Sequence, residues 1–210
     1  MDRRFFIAAG AAGLLPALAS GAWAQTYYAA QLTREQKAQV EQAVASLQGI
    51  STAKGRFTQT NSRGAASQGT LYLNRPGKAR FEYDAPAQMV VVADGKNVSV
   101  YDRRLKTFDK YPQRATPLAI FLAKRVRLDT LTMITRFVSG DGGFQLTLRD
   151  SRGGVSGSLV LDFADEPVAL RGWTVVDGTK TETRVRLASL DPTGPLDAAL
   201  FTLADPRSPA

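Results

Sequence analysis

The sequence predicts a mainly β (α+β) protein built on one large antiparallel sheet, barrel or sandwich. Apolar and polar side chains alternate with a period of two along most of the chain, in runs spaced roughly 8–12 residues apart. Turn signals separate the runs, among them Pro76-Gly77, Asp94-Gly95 and Asp177-Gly178. Two stretches depart from the alternation, Thr33–Gln48 and Thr116–Lys124, and read as helices. About ten or eleven strands follow from the spacing. So large a twisted sheet curls, and its concave side needs a filler. The two helices supply it. Both are short, so the expectation is a hollow sheet with helices over its mouth.

The chain has 210 residues, and residues 1–24 are expected to be a cleaved signal peptide. Met1-Asp2-Arg3-Arg4 is basic, Phe5–Leu18 is mildly apolar, and Ala22-Trp23-Ala24 fits the small-x-small cleavage pattern. Arg3-Arg4-Phe5-Phe6-Ile7 also fits the twin-arginine export pattern. Residues 25–210 are then one domain, large enough to bury a core unaided. There is no cysteine, so stability comes from packing without disulfides, and no residue here accepts a lipid anchor of its own. There is no histidine either, which removes the commonest general base and transition-metal ligand together. The formal charge is +8. Lys and Arg are spread along the chain, which speaks against nucleic acid and favours an anionic membrane surface or an acidic protein partner.

Taken in order, Thr33–Gln48 begins with a capping box, Thr33 with Gln36, and ends at Gly49. Val40, Ala43, Val44 and Leu47 form its apolar stripe. Thr52–Asn61 is the first strand, anchored by Phe57, and Ser62–Ser67 reads as a polar loop. A meander follows from Gly69 to Pro112. Leu71 and Leu73 share one face, as do Ala79, Phe81 and Tyr83 on the next strand. Met89–Ala93, including Val91, is continuously apolar and reads as a strand covered on both sides. Arg75 stands before Pro76 at a strand end. It is either an ordinary surface arginine or a latch whose guanidinium bonds backbone carbonyls of a neighbouring element, and the pattern alone leaves both open.

Thr116 suits an N-cap and Pro117 a first helical residue. Leu118, Ile120, Phe121 and Leu122 then make the segment apolar on every side, so it is buried in the core or covers something apolar. Strand alternation resumes from Arg127 to Leu190 through Phe144, Leu146 and Leu148, Leu159, Leu161 and Phe163, and Trp173, with turns at Asp141–Gly143, Arg152–Gly154 and Asp165–Pro167. The tail from Pro192 runs irregularly over the surface.

The chemistry of catalysis is missing from this pattern. Triads and thiol mechanisms need His or Cys. The paired carboxylates, Glu82 with Asp84 and Asp162 with Asp165, sit on polar faces or strand ends, where solvation is the simpler reading. No phosphate-cradling glycine loop or calcium loop occurs. The expectation is a non-enzymatic binding protein with no cofactor and no metal.

The order Phe57-Thr58-Gln59, Gly69-Thr70-Leu71-Tyr72-Leu73, Arg75-Pro76, Phe81-Glu82-Tyr83, Asp94-Gly95-Lys96, Tyr101-Asp102 and Thr116-Pro117 resembles the LolA family of periplasmic outer-membrane lipoprotein carriers. The resemblance implies an unclosed antiparallel β-barrel of about eleven strands with a short-helix lid over an apolar cavity. It implies a periplasmic carrier that takes acylated lipoproteins from an inner-membrane lipoprotein-releasing ABC transporter to an outer-membrane receptor of LolB type. It also implies a monomer with no stable membrane anchor and no nucleic-acid partner. Arg75 matches the family's latch to the lid. The lid and lipid-binding cavity would comprise Val40, Leu47, Leu71, Leu73, Phe81, Tyr83, Met89, Val91, Leu118, Ile120, Phe121 and Leu122. Phe81 stands where the family often has tryptophan, Asn74 where lysine is common, and Ser99 where an aromatic is common, which bears on cavity shape. A carrier of free lipid (phospholipid, glycolipid or hopanoid) on the same scaffold, and an envelope-stress lipoprotein sensor, are the alternatives.

Overall fold

The computed structural model describes residues 32–125, 132–140, 142–150 and 157–206. The expected leader and the turns at Asp141 and Arg152–Gly154 lie outside them. Helix α1 (Arg34–Gly49) comes first. Strands β1 (Thr52–Asn61), β2 (Ala66–Asn74), β3 (Lys78–Tyr83), β4 (Met89–Asp94), β5 (Asn97–Asp102) and β6 (Thr107–Pro112) follow. A 3-10 turn (Gln113–Ala115) leads to α2 (Leu118–Leu122), then β7 (Thr132–Gly140), β8 (Gly143–Asp150), β9 (Ser158–Asp165), β10 (Val168–Val176) and β11 (Glu182–Pro192). A 3-10 turn, Ala198–Phe201, lies in the tail.

The 11 strands form one sheet in the order β6-β5-β4-β3-β2-β1-β11-β10-β9-β8-β7, antiparallel at each pairing. Two meanders are thus joined by the β1–β11 pair, and β6 and β7 remain free edges. The barrel is unclosed, as expected. The chain leaves one edge at Pro112 and re-enters the sheet at the other, at Thr132, so the segment bearing α2 is the crossover between the two edges. Ile120, Phe121 and Leu122 of that segment are buried in the core, which accounts for most of the apolar run Leu118–Leu122. Register shifts at Arg56/Phe57, Leu170/Gly172 and Ile134/Arg136 add the local twist that curls the sheet.

Several local expectations need correction. β2 begins at Ala66, so the polar loop before it is shorter than Ser62–Ser67. Gly49 is the last helical residue of α1 and not its stop, which falls at the extended Ile50. The β4–β5 loop is Gly95-Lys96, with Gly95 at φ 99°. Asp94 flanks it and accepts hydrogen bonds from the Lys96 and Asn97 amides. Thr116 does not cap α2; its hydroxyl turns back to the Gln113 carbonyl, 2.8 Å away, and Pro117 holds the N-cap position with no side-chain bond.

The core lies on the concave face. Phe57, Leu71, Leu73, Ala79, Phe81 and Tyr83 enter it from the first meander, and Leu146, Leu148, Leu159, Leu161, Phe163 and Trp173 from the second. Val40, Ala43 and Leu47 bury the inner face of α1 against them. Met89–Ala93 is indeed covered on both sides. Val91 and Ala93 pair with Phe81 and Ala79 on the concave face, while Val90 and Val92 sit opposite Glu82 and Arg80 on the outer face and are buried there. The outer cover is the tail. Its 3-10 turn packs on β3 and β4, Phe201 is buried, and Arg80 donates to the Leu200 carbonyl at 3.0 Å.

Ser99 is also on this outer face, paired with Val92. Its bearing on the cavity was therefore an error of face. A serine there faces away from the concave side, whatever residue relatives carry.

Candidate functional site

The site is the place where the β2–β3 turn meets both helices. Arg75 donates from one guanidinium nitrogen to the Leu47 carbonyl and, at 3.5 Å, to that of Ile50, both at the C-terminal end of α1. Its other terminal nitrogen donates to the Ala123 carbonyl at 3.0 Å, just past α2. Helix ends leave their last carbonyls without intrahelical partners and carry partial negative charge, so a cation that bonds two such ends at once is well placed. The turn's backbone reinforces the contact. Gly77 N–H donates to the Leu122 carbonyl at 2.8 Å and Arg75 N–H to that of Ser51 at 2.7 Å. Arg75 is accordingly half-buried and bonded to backbone carbonyls of both helices, not a solvated surface arginine.

Its position is electrostatically costly. Burial pushes the Arg75 guanidinium below the ordinary arginine range, and its Nε is the buried side-chain polar atom without a partner among the described residues. The cation lies over the Phe121 ring, 5.7 Å from the centroid. Phe121 in turn stacks on Trp173 at 5.2 Å and 25°. A column therefore runs from the Arg75 guanidinium through Phe121 of α2 to Trp173 of β10.

The structure brings the expected cavity residues together. Val40, Leu47, Leu71, Leu73, Phe81, Tyr83, Ile120, Phe121 and Leu122 are buried in one apolar cluster, with Met89, Val91 and Leu118 half-buried against it. Ile120, Phe121 and Leu122 are buried in this cluster, which is the core reading of the apolar run. Sequence reasoning passed over Trp173 as a site residue. It meets Phe81 edge-on at 6.1 Å as well as Phe121, and an aromatic on the concave face of a strand with the right alternation was its available signal. Gln59 was also missed. Its Oε1 accepts the Tyr83 hydroxyl at 2.6 Å at the end of the cluster remote from Arg75. Burial there pushes the Tyr83 phenol well above its usual range.

The carboxylates weighed as catalytic pairs have other partners. Glu82 is 2.7 Å from Arg80, Asp84 2.5 Å from Arg56, and Asp162 3.1 Å from Arg171. Asp165 accepts from Gln39 at 3.4 Å. Among the described residues no cluster of His, Cys, Asp and Glu has the makings of a metal site, and no helix is long and apolar enough to cross a membrane.

Residues 48–204 match the family described as outer membrane lipoprotein carrier protein LolA. The chain is similar to the outer-membrane lipoprotein carrier protein of Chromohalobacter salexigens, 31% identical over 146 residues that cover 67% of this chain and 68% of that one. It is 27% identical to that of Azotobacter vinelandii over 165 residues, 74% of this chain and 79% of the relative. Among solved structures, a LolA superfamily protein from Nitrosomonas europaea aligns over 80% of this chain and 97% of its own, with TM-score 0.46 and 11% identity.

Proposed function

Since the chain belongs to the LolA family of outer-membrane lipoprotein carrier proteins, we propose that it carries lipoproteins across the periplasm, their acyl chains held between α2 and the concave face of the sheet. The observation that supports this reading most is a set of hydrogen bonds: one half-buried arginine ties the ends of α1 and α2 together over the apolar core cluster. The chain loads from an inner-membrane lipoprotein-releasing ABC transporter and unloads to an outer-membrane receptor of LolB type. The work is partition, and it requires no catalytic residue and no cofactor.

The energetics suit a reversible carrier. Burial is worth about 0.8 kcal/mol per CH₂, so an acyl chain of about fifteen methylenes brings roughly 12 kcal/mol. Displacing Ile120, Phe121 and Leu122 from the concavity gives back about 1.5–3 kcal/mol for each side chain. Opening also exchanges the Arg75 bonds to the Leu47 and Ala123 carbonyls for bonds to water, at a net cost of about 1.5–3 kcal/mol each. The closed lid thus offsets a large share of what the ligand gains, and a receptor with no such lid takes the cargo without nucleotide.

Native mass spectrometry of the protein purified from its host tests the proposal. An adduct of several kilodaltons that fragments to an acylated cysteine is expected. A sub-kilodalton lipid adduct would replace the reading with that of a free-lipid carrier.

A further inference from the structure

We propose that the β5–β6 hairpin tip, Arg103-Arg104-Leu105-Lys106, is a docking element for an anionic phospholipid surface, separate from the acyl site. It lies at the end of the sheet opposite Arg75. All its side chains are exposed, and Leu105, at 57% exposure, is one of the two large hydrophobics displayed among the described residues. A lone Leu at the apex of a turn, flanked on both sides by cations, is the arrangement that enters an acyl–headgroup boundary while Lys and Arg stay among the phosphates.

The tip is built to hold this shape. The Asp102 carboxylate accepts from the Arg104 and Leu105 amides, both at 2.9 Å, and Arg103 N–H donates to the Gln88 carbonyl of the neighbouring turn at 3.3 Å. Lys106 takes a positive φ of 53° to close the turn. The same end of the sheet presents Arg63 in the β1–β2 turn and Lys180 in the β10–β11 turn. Of the carboxylates at this end, Asp84 is paired with Arg56 and Glu182 lies 4.0 Å from Arg184, while Asp102 and Asp177 keep their charge as they accept amide bonds. At the tip itself three exposed cations stand against the one carboxylate of Asp102.

A membrane suits the tip better than a protein does. Specific protein interfaces bury about 800 Å² on each partner around a packed apolar centre, whereas one convex turn offers a single Leu. Surface partition needs only a few cations and a small apolar insertion. The contact is transient and brings the carrier to the bilayer with its latch end directed away.

Vesicle co-sedimentation tests this, with the protein as purified from its host so that wild type and variants share one N terminus. The vesicles are phosphatidylethanolamine with phosphatidylglycerol, or phosphatidylcholine alone. Binding is expected only to the first set and to weaken steeply between about 0.05 and 0.3 M salt. Arg103→Glu/Arg104→Glu should lower it by about tenfold or more and Leu105→Ser by a few-fold, each with unchanged circular dichroism. Lys96→Glu/Arg114→Glu, two exposed residues at the Arg75 end, makes the same change in net charge elsewhere and should lower it much less. Equal losses from both double variants would overturn the proposal in favour of net charge alone. An absence of vesicle binding, with tip-dependent binding to polyglutamate instead, would overturn it in favour of an acidic protein partner.

Discussion

On the side of β7–β10 the interior is closed by aromatic stacking. Phe137 lies on Phe144 at 5.4 Å, and Phe144 on Phe163 at 5.3 Å, all buried. On the side of β2 and β3 it is closed by one arginine and two turn amides that bond carbonyls at the ends of α1 and α2. The difference is one of reversibility. A stacked ring has no comparable partner in water, so breaking the stack costs its full burial. A helix-end carbonyl finds water as soon as the helix lifts, so a hydrogen-bonded closure opens at a much smaller net cost. On the proposed function, the aromatic side is the scaffold and the arginine side, where Phe121 on Trp173 is the one stack to be broken, is the door.

Four substitutions sharpen or break this contrast. Phe163→Ala should have the largest effect, about 3–5 kcal/mol of global stability by urea denaturation; a loss under about 1 kcal/mol would remove the scaffold from the account. Arg75→Leu should cost only about 1 kcal/mol globally, because the shorter apolar side chain gives up the carbonyl bonds but also removes a half-buried cation with an unpartnered Nε. Its effect should concentrate in the lid, where hydrogen exchange at Gly77 N–H, bonded to the Leu122 carbonyl, speeds up by about tenfold.

Arg75→Lys comes next and should fall between wild type and Arg75→Leu in that exchange, since a single ammonium lacks the planar fork that spans the Leu47 and Ala123 carbonyls. Asp84→Asn should be smallest, with midpoints at neutral pH barely moved. The hydrogen bond from Arg56 holds the Asp84 carboxyl below the usual carboxylate range. Its stabilising contribution is therefore present above that range and is lost as pH falls through the folded value, so the small gap between wild type and Asp84→Asn should start to shrink below the usual carboxylate range and be gone once pH is under the folded value.

Much of this was legible in the chain. The strands follow from alternation because one face of each is buried and the other wet, and the capping box of Thr33 and Gln36 marked the start of α1 to the residue. What escaped depended on partners distant in sequence. Arg75 finds its carbonyls 25 to 48 residues away, so local pattern alone left it undecided until the fold resemblance supplied a partner. Ser99 was assigned to the wrong problem because its face is set by register with Val92. The tail reads as irregular, yet its 3-10 turn packs on β3 and β4 with Phe201 buried, a structural task that no periodicity announces. Thr116 looked like a cap because caps are read from neighbours, whereas its hydroxyl is claimed by the preceding 3-10 turn.

The most direct test of the door is the rate at which a fluorescent triacylated peptide enters the empty protein, measured by stopped flow for wild type and Arg75→Leu. If Arg75 holds α2 closed over the acyl site, the variant loads faster by about tenfold, in line with its lid exchange, while its urea midpoint stays near that of wild type. Equal loading rates in two equally folded proteins would contradict the latch, and with it the claim that this end of the molecule is the one that opens.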